Sequence, residues 1–359
     1  MKRPARALSI TAAVGLSLSL VGCVQQDDSD ATADIDTQSG PCTESPGLTD
    51  DSIQLGILTD LSGPVAAGGI PWSQGAQTFF DYANSELDGV NGRQVSVEVA
   101  DHAYDPQAAL QRYQELESEV LAIPLSFGSA ANNAIAGELP DDCMPLVANN
   151  GSITDVKPNL FYNAAPYESQ TLNGIDWYLQ QGNAQPRVAL LYQGDVYGEG
   201  VKAALEYAAD QRGFEIVSAQ SYAIGDQSYS GQLAAITAAD PDVVVMASTV
   251  GATFGFFGEA QAAGATWDWL GLQPTFAPAV LGLPIADAYV RDFTIATGQP
   301  TLDGGGPATQ TAFENLNAVS PELATDPSSL LGWQAAYLMY EALLVADESD
   351  AGLTRGSVL

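Results

Sequence analysis

Two successive β-α-β-α-β patterns of similar size constrain this chain more than any other feature. The first runs through apolar stretches at Ile53–Leu58, Val95–Val99 and Leu121–Leu125, the second through Val188–Tyr192, Ile216–Ala219 and Val243–Ala247. Short apolar runs bounded by turn residues are what strands buried on both faces of a parallel sheet require. The intervening segments carry helix periodicity. Trp72, Ala76, Phe79, Phe80 and Ala83 share one face, as do Ala109, Tyr113, Leu116 and Val120, and then Val201, Leu205 and Ala208 in a helix ending at Gly213. Parallel neighbours need a crossover between them, so the alternation predicts two α/β lobes with a cleft between; a single large sheet is the alternative. With 359 residues and 46% hydrophobic content, the chain can fill two such cores.

Open α/β sheets bind ligands beyond the carboxyl ends of their strands. The stretch Leu121–Ser152 puts two such ends side by side. Leu121–Leu125 empties into Ser126-Phe127-Gly128-Ser129, ahead of a helix-compatible segment, so the Ser129 hydroxyl and nearby N–H groups would face an open helix N-terminus suited to an anion. Leu146–Ala148 empties into Asn149-Asn150-Gly151-Ser152, which offers amide, hydroxyl and backbone donors. Ordinary capping and turn chemistry is the alternative for either tip. Further on, Ser248-Thr249 and Gln273-Pro274-Thr275 form polar tips expected to face the same cleft. Phe161–Pro166 reads as an extended exit from the first lobe, Asp226–Ala239 as a helix, and Tyr289–Thr297 as the return to the first lobe. A stripe of Trp333, Ala336, Tyr337, Tyr340 and Leu344 reads as core rather than as a ligand box. The glycine-rich loop from Asp60 to Gly69 matches neither phosphate-binding glycine motif.

Charge and cysteines narrow the classes of function. Acidic residues number 44 against 11 basic ones, a net charge of -33 that argues against nucleic acid or an anionic lipid surface as partner. The single histidine, His102, leaves little room for imidazole catalysis or a histidine-rich metal site. Lys2, Arg3 and Arg6 precede an apolar stretch, Ala7–Leu20, in the manner of an export signal. It ends in Leu20-Val21-Gly22-Cys23, which resembles a bacterial lipobox with Cys23 as the lipidated residue; a plain signal peptide or a signal anchor is the alternative. Cys42 and Cys143 then remain as a candidate disulfide in an oxidising compartment, or as two unpaired thiols.

Several motifs in order, IQLGILTDLSGPVAAGG, ADHAYDPQAAL, VYGEGVKAAL, DQSYSGQLAAITAADPDVVVMAS and EAQAAGA, resemble the leucine/isoleucine/valine-binding protein family of ABC-transporter substrate-binding lipoproteins. The resemblance implies the type I periplasmic-binding fold: two doubly wound parallel-sheet lobes with a ligand cleft between them, here C-terminally truncated and so with two connections between lobes instead of three. It implies a lipoprotein signal peptide over 1–22, a lipid-anchored polar tether over 23–50, a first lobe from 51–165 plus 298–359, and a second from 166–297. The ligand-binding positions it implies are Ser129, Asn150, Gly151, Ser152, Tyr197, Thr249 and Gln273. Gln273 falls where the family carries the carboxylate that neutralises a ligand ammonium, and an amide cannot do that; Asp268 or Asp287 is the alternative acid. A cysteine pair found in some members is absent around Tyr104 and Phe127.

The expected function is that of an extracytoplasmic receptor, anchored on the outer face of the cytoplasmic membrane, that delivers a small polar ligand such as an amino acid or amide to an ABC permease. It would act as a monomer, without cofactor or metal and without chemistry on the ligand. A sensing module of the same fold is one alternative. A lipoprotein hydrolase is another, which the lack of G-x-S-x-G and of a nucleophile near His102 disfavours.

Overall fold

The computed structural model describes residues 42–149, 151, 157–298 and 306–359. Cys23 and the export signal, Asn150 and Ser152 lie outside the described residues. Two parallel five-stranded sheets form the frame. The first has the order β2-β1-β3-β4-β5, from β1 (Ser52–Thr59), β2 (Gln94–Asp101), β3 (Ile123–Ser126), β4 (Leu146–Ala148) and β5 (Leu160–Tyr162). The second has the order β10-β9-β8-β6-β7, from β6 (Arg187–Gln193), β7 (Glu215–Tyr222), β8 (Val243–Ala247), β9 (Asp268–Leu272) and β10 (Phe293–Ala296).

Helices α1 (Ala66–Glu86), α2 (Pro106–Leu116) and α3 (Ser129–Ile135) belong to the first lobe. The second carries α4 (Tyr167–Gln180), α5 (Val196–Arg212), α6 (Ser230–Ala239), α7 (Val250–Ala262) and α8 (Ala286–Asp292). Then α9 (Gly306–Val319), α10 (Pro327–Asp347) and α11 (Arg355–Val358) return to the first. The central strands β6 and β8 of the second sheet bury both faces: Val188, Leu190, Val243 and Val245 enter one core with α4 and α5, while Ala189, Leu191, Val244 and Met246 enter another with Phe256 and Phe257 of α7. That double burial is why these strands read as unbroken apolar runs. In the first lobe the predicted face of α1 is buried throughout against α10. The two backbones touch there: a Cβ at Gly75 would lie 1.9 Å from the Ser329 carbonyl oxygen, and one at Gly332 1.9 Å from that of Trp72.

Four expectations differ from the structure. Within 161–166, Leu160–Tyr162 is a fifth strand paired with β4 rather than a bare exit. Within 289–297, β10 pairs with β9 and closes the second sheet; four residues directly after a helix are too few to show an alternating pattern. The helix expected from Asp226 starts at Ser230, because the Asp226 carboxylate accepts the Ala223 N–H (2.9 Å) and its carbonyl accepts the Tyr229 hydroxyl (3.1 Å), holding a turn. On α10, Tyr337 is exposed, and the buried face is completed by Ala335, Met339, Leu343 and Ala346.

At the base of the first lobe, away from the strand tips, Cys42 and Cys143 are bonded with their Cα atoms 5.7 Å apart. Arg355 is 2% exposed, and its guanidinium donates to the carbonyls of Asp142 (2.7 Å), Val120 (2.8 Å) and Glu117. The Gly356 N–H reaches the Cys42 carbonyl at 2.9 Å, so the first described residues and the last helix are fastened at one point.

Candidate functional site

The loops that follow β1 and β2 shape the first wall of the cleft. Asp60 accepts the N–H groups of Gly63 (2.5 Å) and Val65 (2.9 Å), which turns the chain tightly into α1. This explains the glycines there: a Cβ at Gly69 would lie 2.2 Å from the Asp60 carbonyl oxygen. After β2, Ala103 and Tyr104 both have left-handed backbones, with φ of 50° and 59°. Such a pair costs energy and persists only when its surroundings over-determine it. Here Asp101 accepts from Leu61, Ser62 and Ala103, and His102 Nδ1 accepts the Tyr104 N–H at 3.0 Å. His102 Nε2 must then carry the proton, which it donates to the Phe127 carbonyl at 3.0 Å. Burial lowers the His102 pKa, against the opposing effects of that hydrogen bond and of the Asp60 and Asp101 charges.

Gly128 has φ of 105° and lets the Tyr104 ring lie against it: a Cβ there would be 2.8 Å from that ring. Its N–H is taken by Asn149 Oδ1 at 3.1 Å, which leaves the Asn149 amide nitrogen as the donor end of that side chain. Ser129 opens α3 without capping it, so the capping alternative does not account for its hydroxyl. Ser126, by contrast, is used internally, donating to Asn132 at 2.6 Å.

The second wall repeats this arrangement with other residues. Ser248 is used internally with Thr253 (2.8 Å), and Thr249, the N-cap residue of α7, makes no capping bond through its side chain. Asp195 caps α5 through the Tyr197 and Gly198 N–H groups and accepts Gln193 Nε2 at 2.5 Å. Burial pushes its carboxyl up against those bonds. The same Gln193 accepts the Tyr222 hydroxyl (3.1 Å), which in turn accepts the Thr249 N–H (3.1 Å). Gln193 Nε2 also reaches the Tyr104 hydroxyl at 3.4 Å, a bond from one lobe to the other. At the hinge, Gln170 donates to the Ala165 carbonyl (2.9 Å) and accepts the Gln273 N–H (3.2 Å), while the Ala165 N–H meets the Gly298 carbonyl (3.2 Å).

Between the walls lies a cavity of about 70 Å³. Four of the predicted residues line it: Ser129 from the first lobe and Tyr197, Thr249 and Gln273 from the second. Gly151 is not among the lining residues; its carbonyl accepts the Tyr167 N–H (3.3 Å), and a Cβ there would lie 2.5 Å from the Tyr162 ring. Asp268 accepts the Tyr178 hydroxyl at the opposite end of β9, and Asp287 is exposed; neither lines the cavity. Asn149 of the second polar tip lines it too, while Trp72, Tyr104, Phe127, Tyr167 and Phe276, which supply most of the rings, and Ser328 were not among the expected ligand contacts. Trp72 has the helical spacing of a core residue and is one, and its place in the first turns of α1, next to the strand tips, brings it to the cavity as well. Tyr167 and Tyr197 lie 4.4 Å apart, and burial pushes both hydroxyls well above the ordinary tyrosine range, so they stay neutral. Among the described residues no group of three or more His, Cys, Asp or Glu side chains could hold a metal.

Fold and cleft define a two-lobed binding protein, and the chain belongs to the periplasmic binding protein family, whose model matches residues 52–358. It is 22% identical over 203 residues to Leu/Ile/Val-binding protein homolog 3 of Brucella melitensis biotype 1, an alignment covering 54% of this chain and 53% of that one. The chain thus spans about half the length of the curated relatives it matches. Among solved structures it resembles a fatty acid ABC transporter substrate-binding protein from Thermomonospora curvata, with 28% identity, a TM-score of 0.81, and coverage of 88% of this chain and 81% of that one. A branched-chain amino acid ABC transporter from Thermus thermophilus with bound valine shares the fold at 20% identity and a TM-score of 0.77, covering 87% of this chain and 82% of its own.

Proposed function

We propose that this protein is a substrate-binding receptor of an ABC importer, which closes its two lobes on a small carboxylate-bearing solute and presents it to a membrane permease. The observation that carries this reading is the convergence of Ser129, Tyr197, Thr249 and Gln273, from different lobes and distant parts of the chain, on one cavity. Such a cleft binds by closure and needs no reacting group. The two solved relatives support it, one a fatty acid transporter component and the other holding valine, both ligands being carboxylic acids. The receptor acts as a monomer, without cofactor, from the outer face of the cytoplasmic membrane, where Cys23 carries its lipid.

Melting curves against a solute library, followed by calorimetry on the hits, test the reading. A saturable ligand should bind with one-to-one stoichiometry and raise the melting temperature. Ser129→Ala should weaken it by about 1–3 kcal/mol, and unchanged affinity would displace the site. For the anchor, cells expressing Cys23→Ala should release the protein from the membrane fraction; equal retention refutes lipidation at that residue.

A further inference from the structure

We infer that the ligand of this cleft is a carboxylic acid that carries no ammonium group and has an apolar or aromatic body, an inference that rests on the receptor reading above. Rings dominate the cavity wall: Trp72, Tyr104, Phe127, Tyr167, Tyr197 and Phe276 come from six separate elements or loops and surround one space. Among the described residues no Asp, Glu, Lys or Arg lines it.

A primary ammonium drawn into such a space loses its water and needs a carboxylate or a set of fixed acceptors in exchange. The carboxylates whose charge reaches the cavity tyrosines are committed elsewhere or stand apart. Asp60 is held by two backbone N–H groups of its own turn. Asp195 is held by two more and by Gln193, and burial disfavours its charge. Glu168 sits beside Tyr167 at the start of α4 but does not line the cavity. What the first lobe presents is a donor end: the Ser129 hydroxyl, and the Asn149 amide nitrogen whose own oxygen is occupied by Gly128. Donors at one end and rings around the rest match an acid with an apolar body. Gln273 stands opposite, a neutral group that discriminates against an ammonium by failing to compensate it.

Matched pairs differing only in the ammonium test this on the wild-type protein: 3-methylbutanoate against L-valine, and 3-phenylpropanoate against L-phenylalanine, by calorimetry. In at least one pair the deaminated acid should bind tenfold or more tighter than its amino acid. Gln273→Glu, which brings a carboxylate to the wall, should shift that ratio at least tenfold toward the amino acid; if the variant melts early, the wild-type ratio alone decides. Glycine betaine is the control for a cation held by ring faces without any carboxylate. An amino acid binding as tightly as its partner, betaine binding tightest, or failure of both acids to bind each overturns the ligand class. The receptor reading is judged separately, since it fails only if the library screen also returns no ligand.

Discussion

The two walls of the cleft are built to one plan and held by different means. In each, a serine ending the strand is used up by its own helix, Ser126 with Asn132 and Ser248 with Thr253, and the next hydroxyl faces the cavity. The first wall is then fixed by charged and imidazole groups clamping a left-handed turn, with a disulfide at the base of the same lobe. The second wall hangs on a relay of neutral side chains, from Gln193 through Tyr222 to the Thr249 N–H. The difference teaches that a strand tip can be fixed by the charged groups of its own turn or made dependent on a relay of neutral side chains from neighbouring strands.

Removing the disulfide should break the contrast most. Its sequence separation is 101, and closing a loop of that size contributes roughly 4.7 kcal/mol in the chain-entropy picture. Denaturant titration of the Cys42→Ala, Cys143→Ala double variant should show a first lobe no longer firmer than the second. Full retention of stability would mean that Arg355 alone fastens the base. Next in size is Gly332→Ala, which forces a methyl to within 1.9 Å of the Trp72 carbonyl oxygen and should cost about 1–3 kcal/mol. Because Trp72 lines the cavity, ligand affinity should fall with stability; a drop in stability alone would separate the α1–α10 crossing from the site.

Tyr222→Phe deletes the middle of the relay and should cost on the order of 1 kcal/mol in ligand binding while leaving the first wall intact. Equal loss in Tyr229→Phe, whose hydroxyl only closes a turn on Asp226, would show that the relay carries nothing special. The gentlest effect is a pair of opposed pH slopes. His102 has a folded pKa below its ordinary value of 6.5, so the unfolded chain takes the proton first as pH falls; its contribution is present above that pH and lost as pH falls through the folded value. Asp195 is raised from 3.8, so its contribution is present below that pH and lost as pH rises through the folded value. Thermal melts of His102→Gln and Asp195→Asn across pH 4 to 7 (roughly the span of the two unperturbed values) should flatten opposite ends of the profile.

Much of this was legible in the chain because parallel strands buried on both faces leave a plain record. Leu146–Ala148 and Val243–Ala247 are strands with the bounds their apolar runs suggested. Ser129 and Thr249 were visible as the second hydroxyls of the polar tips past a buried run, behind Ser126 and Ser248. The ring lining was not visible. Phe127 lies between tip residues, Tyr104 owes its position to a histidine acceptor and a left-handed backbone, and Tyr167 is held by the Gly151 carbonyl, which takes its N–H, and by the Tyr197 ring. These are tertiary choices that no periodicity encodes. The edge strand β10 escaped because four residues leaning on Trp269 and Tyr289 need no pattern of their own.

Arg355, sealed at the base of the first lobe, has a consequence for the medium around the protein. With 11 basic residues in the whole sequence, each cation withdrawn inside leaves the surface with less to set against 44 carboxylates. The molecule is therefore a compact polyanion wrapped in a sheath of counterions. Adding salt shortens the screening length from about 30 Å at 0.01 M to about 8 Å at physiological strength, and relieving that self-repulsion should raise the melting temperature steadily over this range. A melting temperature that falls with salt would mean that attractive pairs such as Arg93 with Asp347 outweigh the crowd of like charges.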